Sequence, residues 1–268
     1  MLMYDQYNRN INYLRVSVTD KCNLRCYYCM PAEGVKLLRH KDILSYEEIV
    51  EVVRHGVGRG INKVRLTGGE PLVRREITKL VAMLSRIPGI DDLSMSTNAV
   101  FLSDHAQALA EAGLHRVNVS LDTLDPEKYS RITHGGDLAR VLEGIEAARQ
   151  AGLQPIKLNV VKHQYFDEND RQALMRFGER CGYPVRFIRE MNLEKGLFSV
   201  VEGGSGGDCP HCNRLRLTPN GRIKPCLFSN LAYDIRELGI EEAYRLALEN
   251  KPFSGSVNDS CTFYRMGG

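Results

Sequence analysis

The 268 residues carry 36 Lys and Arg against 33 Asp and Glu, and 43% of them are hydrophobic. A chain of this length buries roughly three quarters of its unfolded surface, which excludes disorder as its main state. A net charge of +3 is too small to argue for nucleic acid and leaves room for a local anion site.

From Asn12 to about Arg189 one unit repeats: a short apolar or β-branched run, a loop, then a segment of helical spacing. The pattern predicts strands over Tyr13–Val18, Lys63–Leu66, Asp92–Ser96, Arg116–Leu121, Pro155–Val161 and Pro184–Ile188. It predicts helices over Ser45–Gly58, Arg75–Ser85, Asp104–Ala112, Leu138–Ala151 and Asp167–Cys181. Ser45 followed by Glu48 has capping-box spacing, and Gly113, Gly152 and Gly182 sit where helix ends favour a left-handed residue. Strands alternating with helices imply a parallel sheet with right-handed crossovers. The expected fold is α/β, a partial TIM-like (β/α)6 barrel over residues 1–191. Residues 192–208 then read as a flexible glycine-rich linker, either native or a replacement for a longer segment. Residues 209–268 form an extension expected to close the open face. It holds a hairpin, Arg214–Leu217 and Arg222–Lys224 about an Asn220-Gly221 turn, and a helix over Ile240–Glu249.

Met1 to Asn10 lacks the basic start and apolar run of a secretory signal, and no apolar stretch reaches the roughly 18 residues of a membrane span. A cytoplasmic protein with no membrane partner is expected. In that compartment the eight cysteines are not a disulfide framework. Cys22, Cys26 and Cys29 form one group, Cys209, Cys212 and Cys226 another, and Cys181 and Cys261 stand alone. Structural zinc takes four ligands, and the first loop offers three thiols and no histidine. A [4Fe–4S] cluster held by three thiolates leaves one iron open for a ligand that is not protein. Zinc, or three buried reduced thiols, remain open readings for the first group. For the second, a zinc knuckle completed by Cys261 is the serious alternative, and His211 reads as a turn residue.

Cys22-Asn-Leu-Arg-Cys26-Tyr-Tyr-Cys29 after the first strand, with Thr67-Gly68-Gly69-Glu70-Pro71 after the second, resembles the radical S-adenosylmethionine (SAM) enzymes. The resemblance implies a [4Fe–4S] cluster on Cys22, Cys26 and Cys29 whose open iron chelates SAM. It implies SAM contacts at Tyr28, Gly69, Glu70, Thr97, Ser120 and Met191. Thr97 and Ser120 read equally well as polar caps of the helices that follow. Independently of the family, two glycines permit close backbone approach to a ligand, and a carboxylate at a strand end can receive an ammonium.

Cys212-Asn-Arg214-Leu-Arg216-Leu-Thr218, Lys224-Pro-Cys226-Leu-Phe228 and a terminal Gly267-Gly268 narrow the resemblance to the GTP 3′,8-cyclase family of molybdenum-cofactor biosynthesis. That family's pattern implies a second [4Fe–4S] cluster on Cys209, Cys212 and Cys226 that binds GTP, and a Gly267-Gly268 tail directed to the active site. It implies GTP contacts at Arg15, Lys63, Arg65, Lys157, Arg186, Arg214 and Arg216. It also implies a flavodoxin- or ferredoxin-like electron donor and a homodimer. Cations within strands suit a triphosphate, because planar guanidinium pairs with phosphate oxygens, and an inner ion-pair network is the competing reading. Arg74 and Arg75 are expected in solvent. The family pattern is longer between the sixth strand and the second C-x-x-C. A shortened two-cluster paralogue acting on a peptide or another nucleotide, and a zinc-binding module, are therefore the alternatives.

Overall fold

The computed structural model describes residues 3–30 and 35–259, so Cys261 and the Gly267-Gly268 tail lie outside the described residues. Six strands run through the first two thirds of the chain: β1 (Tyr13–Ser17), β2 (Lys63–Thr67), β3 (Asp92–Thr97), β4 (Arg116–Ser120), β5 (Lys157–Lys162) and β6 (Val185–Arg189). Each pairs in parallel with the next. Parallel neighbours need crossovers, which α1 (Tyr46–Val57), α2 (Ile77–Ser85), α3 (Leu102–Glu111), α4 (Pro126–Thr133), α5 (Leu138–Gln150) and α6 (Glu168–Cys181) supply.

The capping box of α1 forms as its spacing predicts. Glu48 N donates to Ser45 Oγ at 3.1 Å, and Ser45 N donates to the Glu48 carboxylate at 2.7 Å. Helix α2 begins two residues later than expected, because Glu76 adopts a left-handed φ of 58°. Helix α4 was missed by periodicity, although Asp125 caps it and Pro126 fills its first turn.

Alternation along each strand positions the site. Leu14 and Val16 of β1, Val64 and Leu66 of β2, and Val117 and Val119 of β4 are fully buried in the main core. Each such side chain stabilises the fold by about 1.5–3 kcal/mol. The intervening residues face the opposite side of the sheet. Register aligns them: Arg15 of β1 sits opposite Arg65 of β2.

The extension does not lie across an open face as a separate lid. Its first strand, β7 (Arg214–Leu217), pairs in parallel with β1. Strands β8 (Arg222–Lys224) and β9 (Tyr233–Asp234) continue antiparallel, giving the order β6-β5-β4-β3-β2-β1-β7-β8-β9. The sheet is therefore an incomplete barrel enlarged at its β1 edge. A short α7 (Ile235–Leu238) leads into α8 (Ile240–Glu249), which buries Ala243, Tyr244 and Ala247 in the same core as α1. Tyr244 Oη donates to Val52 O at 3.2 Å. A Cβ at Gly56 would stand 2.6 Å from that hydroxyl, so the contact between α1 and α8 requires the glycine.

Residues 192–208 are not a free tether. Asn192 bridges Leu197, Glu202 bridges Phe187, and the Glu202 carboxylate pairs with Arg171 and Lys162. Among the described residues no helix is long and apolar enough to cross a membrane.

Candidate active site

The loop after β1 carries Cys22, Cys26 and Cys29, all free thiols, on the wall of a cavity of about 190 Å³. Backbone contacts with the next strand end hold this loop. Gly69 N donates to Thr19 O and Glu70 N to Lys21 O, both at 2.8 Å. A Cβ on Gly68 would meet Thr19 O at 2.4 Å, and one on Gly69 would meet Lys21 O at 2.2 Å. The two glycines are thus required by the approach of the cysteine loop. They place Glu70 beside the thiols.

Glu70 is 1% exposed and accepts hydrogen bonds from Thr97 Oγ1 (2.8 Å), Leu72 N (3.0 Å) and Asn98 N (2.7 Å). Burial raises its carboxyl to about 7 even though these bonds favour the ionised form. Thr97 is spent on Glu70 and on Ala99 N, and Phe101, not Thr97, occupies the cap of α3. Asp125 caps the helix after β4, so Ser120 is left exposed on the cavity wall. Tyr28, Gly69, Glu70, Thr97, Ser120 and Met191 all line this cavity.

Sequence reasoning missed three polar groups here. Asn98 Nδ2 lies 3.8 Å from Cys22 Sγ. Asp122 accepts from Tyr28 Oη at 2.6 Å and from Val161 N at 2.7 Å, and burial raises its carboxyl to about 6. Asn159 lines both this cavity and the next. Among buried acidic surroundings the thiols are pushed up: Cys22 to about 11 and Cys29 to about 12, by burial first, with Cys26 shifted the same way.

The second cavity, about 380 Å³, meets the first at Asn159, Ile188 and Met191. Cys209, Cys212 and Cys226 line one end. Arg15, Lys63, Arg65 and Lys157 line it, with Arg186, Arg214 and Arg216. Register explains the crowding, since Arg15 is flanked across the sheet by Arg65 on one side and Arg216 on the other. Adjacent strands lie about 4.8 Å apart, so this row of like charge is costly without an anion. Burial lowers Arg15, Arg65, Arg186 and Arg216, and neighbouring guanidinium groups lower them further.

The competing ion-pair network is small among the described residues. The acids lining the cavity are Asp92, paired with Arg116 at 2.5 Å, and Asp208, which contacts His211 at 2.9 Å. Tyr13 carries Arg65 and Arg214 against its ring at 5.4 and 5.7 Å. Among the described residues Arg186 Nε and Arg216 Nη1 are buried with no hydrogen-bond partner, donors that suit an anion. Residues 192–208 supply part of the wall, and Ser205 accepts from Arg214 Nη2 at 2.7 Å through its hydroxyl. His211 is 83% exposed, which bears out its reading as a turn residue.

Arg74 departs from the expectation of a solvated side chain. Its guanidinium donates to Val18 O and Leu44 O, both at 2.6 Å, and stacks over Tyr46 at 4.3 Å. Arg75 is exposed as expected. Among the described residues no three His, Cys, Asp or Glu side chains converge as one shared metal ion requires. Each three-thiol set instead suits a polynuclear group that takes one thiolate per iron.

Comparison with known proteins narrows what this pair of cavities belongs to. Residues 16–178 match the family described as "Radical SAM superfamily". A GTP 3′,8-cyclase of Alkaliphilus oremlandii is 41% identical over 298 aligned positions, covering 93% of each chain. The aligned span exceeds the 268 residues present, so that relative carries residues this chain lacks. A GTP 3′,8-cyclase of Thermodesulfovibrio yellowstonii is 40% identical, covering 88% of each chain. Among solved structures, Streptococcus suis SuiB bound to its precursor peptide SuiA superposes with a TM-score of 0.61 at 15% identity, over 97% of this chain and 66% of that one. An anSMEcpe structure with bound AdoMet gives 0.64 at 13% identity, over 89% and 80%. These two likenesses bear on the fold alone, a TIM-like partial barrel. The chain belongs to the radical SAM superfamily and, within it, to the GTP 3′,8-cyclase family.

Proposed function

We propose that this chain closes a bond between C3′ and C8 of GTP, forming (8S)-3′,8-cyclo-7,8-dihydro-GTP in the first step of molybdenum-cofactor biosynthesis. The observation that carries the reading is one cavity holding seven of seven expected cations and three thiols, opening at Met191 onto a second cavity with three more. Family membership implies a [4Fe–4S] cluster and SAM, and Cys22, Cys26 and Cys29 are the residues that would hold the cluster. Such a cluster, with SAM, would supply the radical chemistry that activates the 3′ C–H bond of GTP.

The chain's own residues bind, orient and exclude water. Glu70 receives the ammonium of the SAM methionine, with Thr97 and the Asn98 N–H fixing its carboxylate. Tyr28, tied to Asp122, and Gly69, Ser120 and Met191 shape the remainder of that cavity. Arg15, Arg65, Arg186, Arg214 and Arg216 hold the triphosphate by charge-assisted hydrogen bonds, with Lys63 and Lys157 on the same wall. Cys209, Cys212 and Cys226 would hold a second [4Fe–4S] cluster at the far end, against the guanine. The tail Gly267-Gly268 completes the pattern, an electron donor of the flavodoxin or ferredoxin type serves the reduction, and the chain acts as a homodimer in the cytoplasm.

A peptide substrate is disfavoured by the charge of the second cavity, where paired acids leave the arginines to a polyanion. The test is calorimetric titration of GTP into anaerobically reconstituted protein, alongside guanosine. Tight binding that requires the triphosphate is expected. Equal affinity for guanosine would remove the basis of the reading.

A further inference from the structure

The second three-cysteine site is fastened by two buried cations that none of the motifs above contains. Lys251 is 1% exposed and follows α8. Its ammonium has three donors. One reaches Arg214 O at 2.9 Å and one reaches Pro225 O at 2.5 Å, and the charge faces the Cys212 and Cys226 thiols. Arg214 lies two residues beyond Cys212, and Pro225 immediately precedes Cys226, so one ammonium ties two arms of the site together.

Arg9, 7% exposed, holds the third arm. Its Nη1 donates to Cys209 O at 2.7 Å and Phe253 O at 2.9 Å, and Nη2 donates to Pro252 O at 2.7 Å. Nε pairs with Asp5 at 2.6 Å. Gln6 Nε2 donates to Lys251 O at 3.1 Å, which joins the two cations through the backbone. Three stretches distant in sequence, 5–9, 209–226 and 251–253, therefore meet at the thiols.

We propose that Arg9 and Lys251 are positioning residues of this site: they fix the backbone at Cys209, Cys212 and Cys226 and supply positive charge that favours an anionic iron–sulfur group there. This rests on the reading that the second set of thiols holds a [4Fe–4S] cluster. Lys251 has no carboxylate partner among the described residues; a buried ammonium of that kind is costly, and an anionic group beside it offsets that cost. The same charge favours the reduced, more negative form of such a group, so it acts on the redox potential as well as on retention.

The experiment compares the full chain, Lys251→Met, Lys251→Arg, Arg9→Gln and Cys209→Ala after anaerobic reconstitution. Iron and sulfide are counted per chain, and redox titrations are followed by electron paramagnetic resonance. Circular dichroism checks the fold of each variant. The full chain is expected to take up about eight irons and Cys209→Ala about four, the first cluster alone. Lys251→Met is expected to keep the first cluster and either to lose the second or to hold it at a more negative potential. Lys251→Arg restores both readings, and Arg9→Gln lowers occupancy of the second cluster with a smaller shift. A folded Lys251→Met with the full iron count and an unmoved potential overturns the proposal while leaving the second cluster intact. Equal iron in the full chain and Cys209→Ala overturns the second cluster itself, and the proposal with it.

Discussion

The two regions each bring three cysteines to a cavity wall, the first from one loop and the second from either side of the β7–β8 hairpin, and they differ in what surrounds them. At the first, Glu70 and Asp122 are buried near the thiols, and burial together with acidic neighbours raises them. At the second, burial also raises Cys212, but Lys251, Arg214 and Arg216 more than offset it and bring the thiol below its ordinary value. The Cys226 thiol stays raised by burial although Lys251 and Arg216 oppose it. The contrast matches the ligands. A carboxylate-lined cavity suits the ammonium of SAM, and a guanidinium-lined one suits a triphosphate. Two three-thiol sites of different spacing on opposite electrostatic grounds would let one chain hold the two unlike ligands of the proposed reaction within reach of each other.

The sharpest way to break this comparison is to remove one site at a time. Cys22→Ala should abolish 5′-deoxyadenosine formation from SAM. Cys209→Ala should leave that formation and eliminate the cyclised nucleotide, both read by chromatography of quenched anaerobic reactions. Loss of 5′-deoxyadenosine in both would make the division of labour untenable.

Arg216→Ala comes next. A hydrogen bond to a charged group contributes about 1.5–3 kcal/mol, so GTP affinity should fall by roughly 10- to 150-fold while SAM affinity holds. Calorimetry decides, and a loss below about threefold would place the triphosphate elsewhere.

A pH series sharpens the contrast further. The Glu70 carboxyl is raised to about 7, so it becomes neutral as pH falls through that value and no longer attracts an ammonium. SAM affinity should therefore drop about tenfold between pH 8 and pH 6 in the wild-type chain and stay nearly flat in Glu70→Gln. An identical slope in both would assign the effect to another group.

The smallest expected effect is at Ser205, whose hydroxyl engages Arg214. Ser205→Ala removes one competing acceptor of the Arg214 guanidinium while the Ser205 carbonyl remains, a difference of about 1 kcal/mol, and GTP should bind up to about fivefold more tightly. Weaker binding would make Ser205 a ligand contact instead.

The strands were legible because alternation survives in them. Leu14 and Val16 face the helices while Arg15 faces the cavity, and a period of two is visible without tertiary information. Both sets of cavity cysteines were legible because each lies within one short loop or one hairpin. Helix α4 escaped because its eight residues, Pro126–Thr133, are too few and too polar to show a period. What stayed hidden depends on partners far along the chain. Arg74 reads as surface until Val18 O and Leu44 O arrive beside it. Lys251 reads as a helix end until Arg214 O and Pro225 O close on it. The edge-joining of β7 to β1 was invisible for the same reason, since nothing local in Arg214–Leu217 names its neighbour.

The most direct measurement is a single anaerobic reaction of the reconstituted chain with SAM, a one-electron reductant and GTP, analysed for 5′-deoxyadenosine and for 3′,8-cyclo-7,8-dihydro-GTP together. The expected result is both products, formed in parallel. Formation of 5′-deoxyadenosine with GTP recovered unchanged would contradict the assignment of the second cavity to GTP.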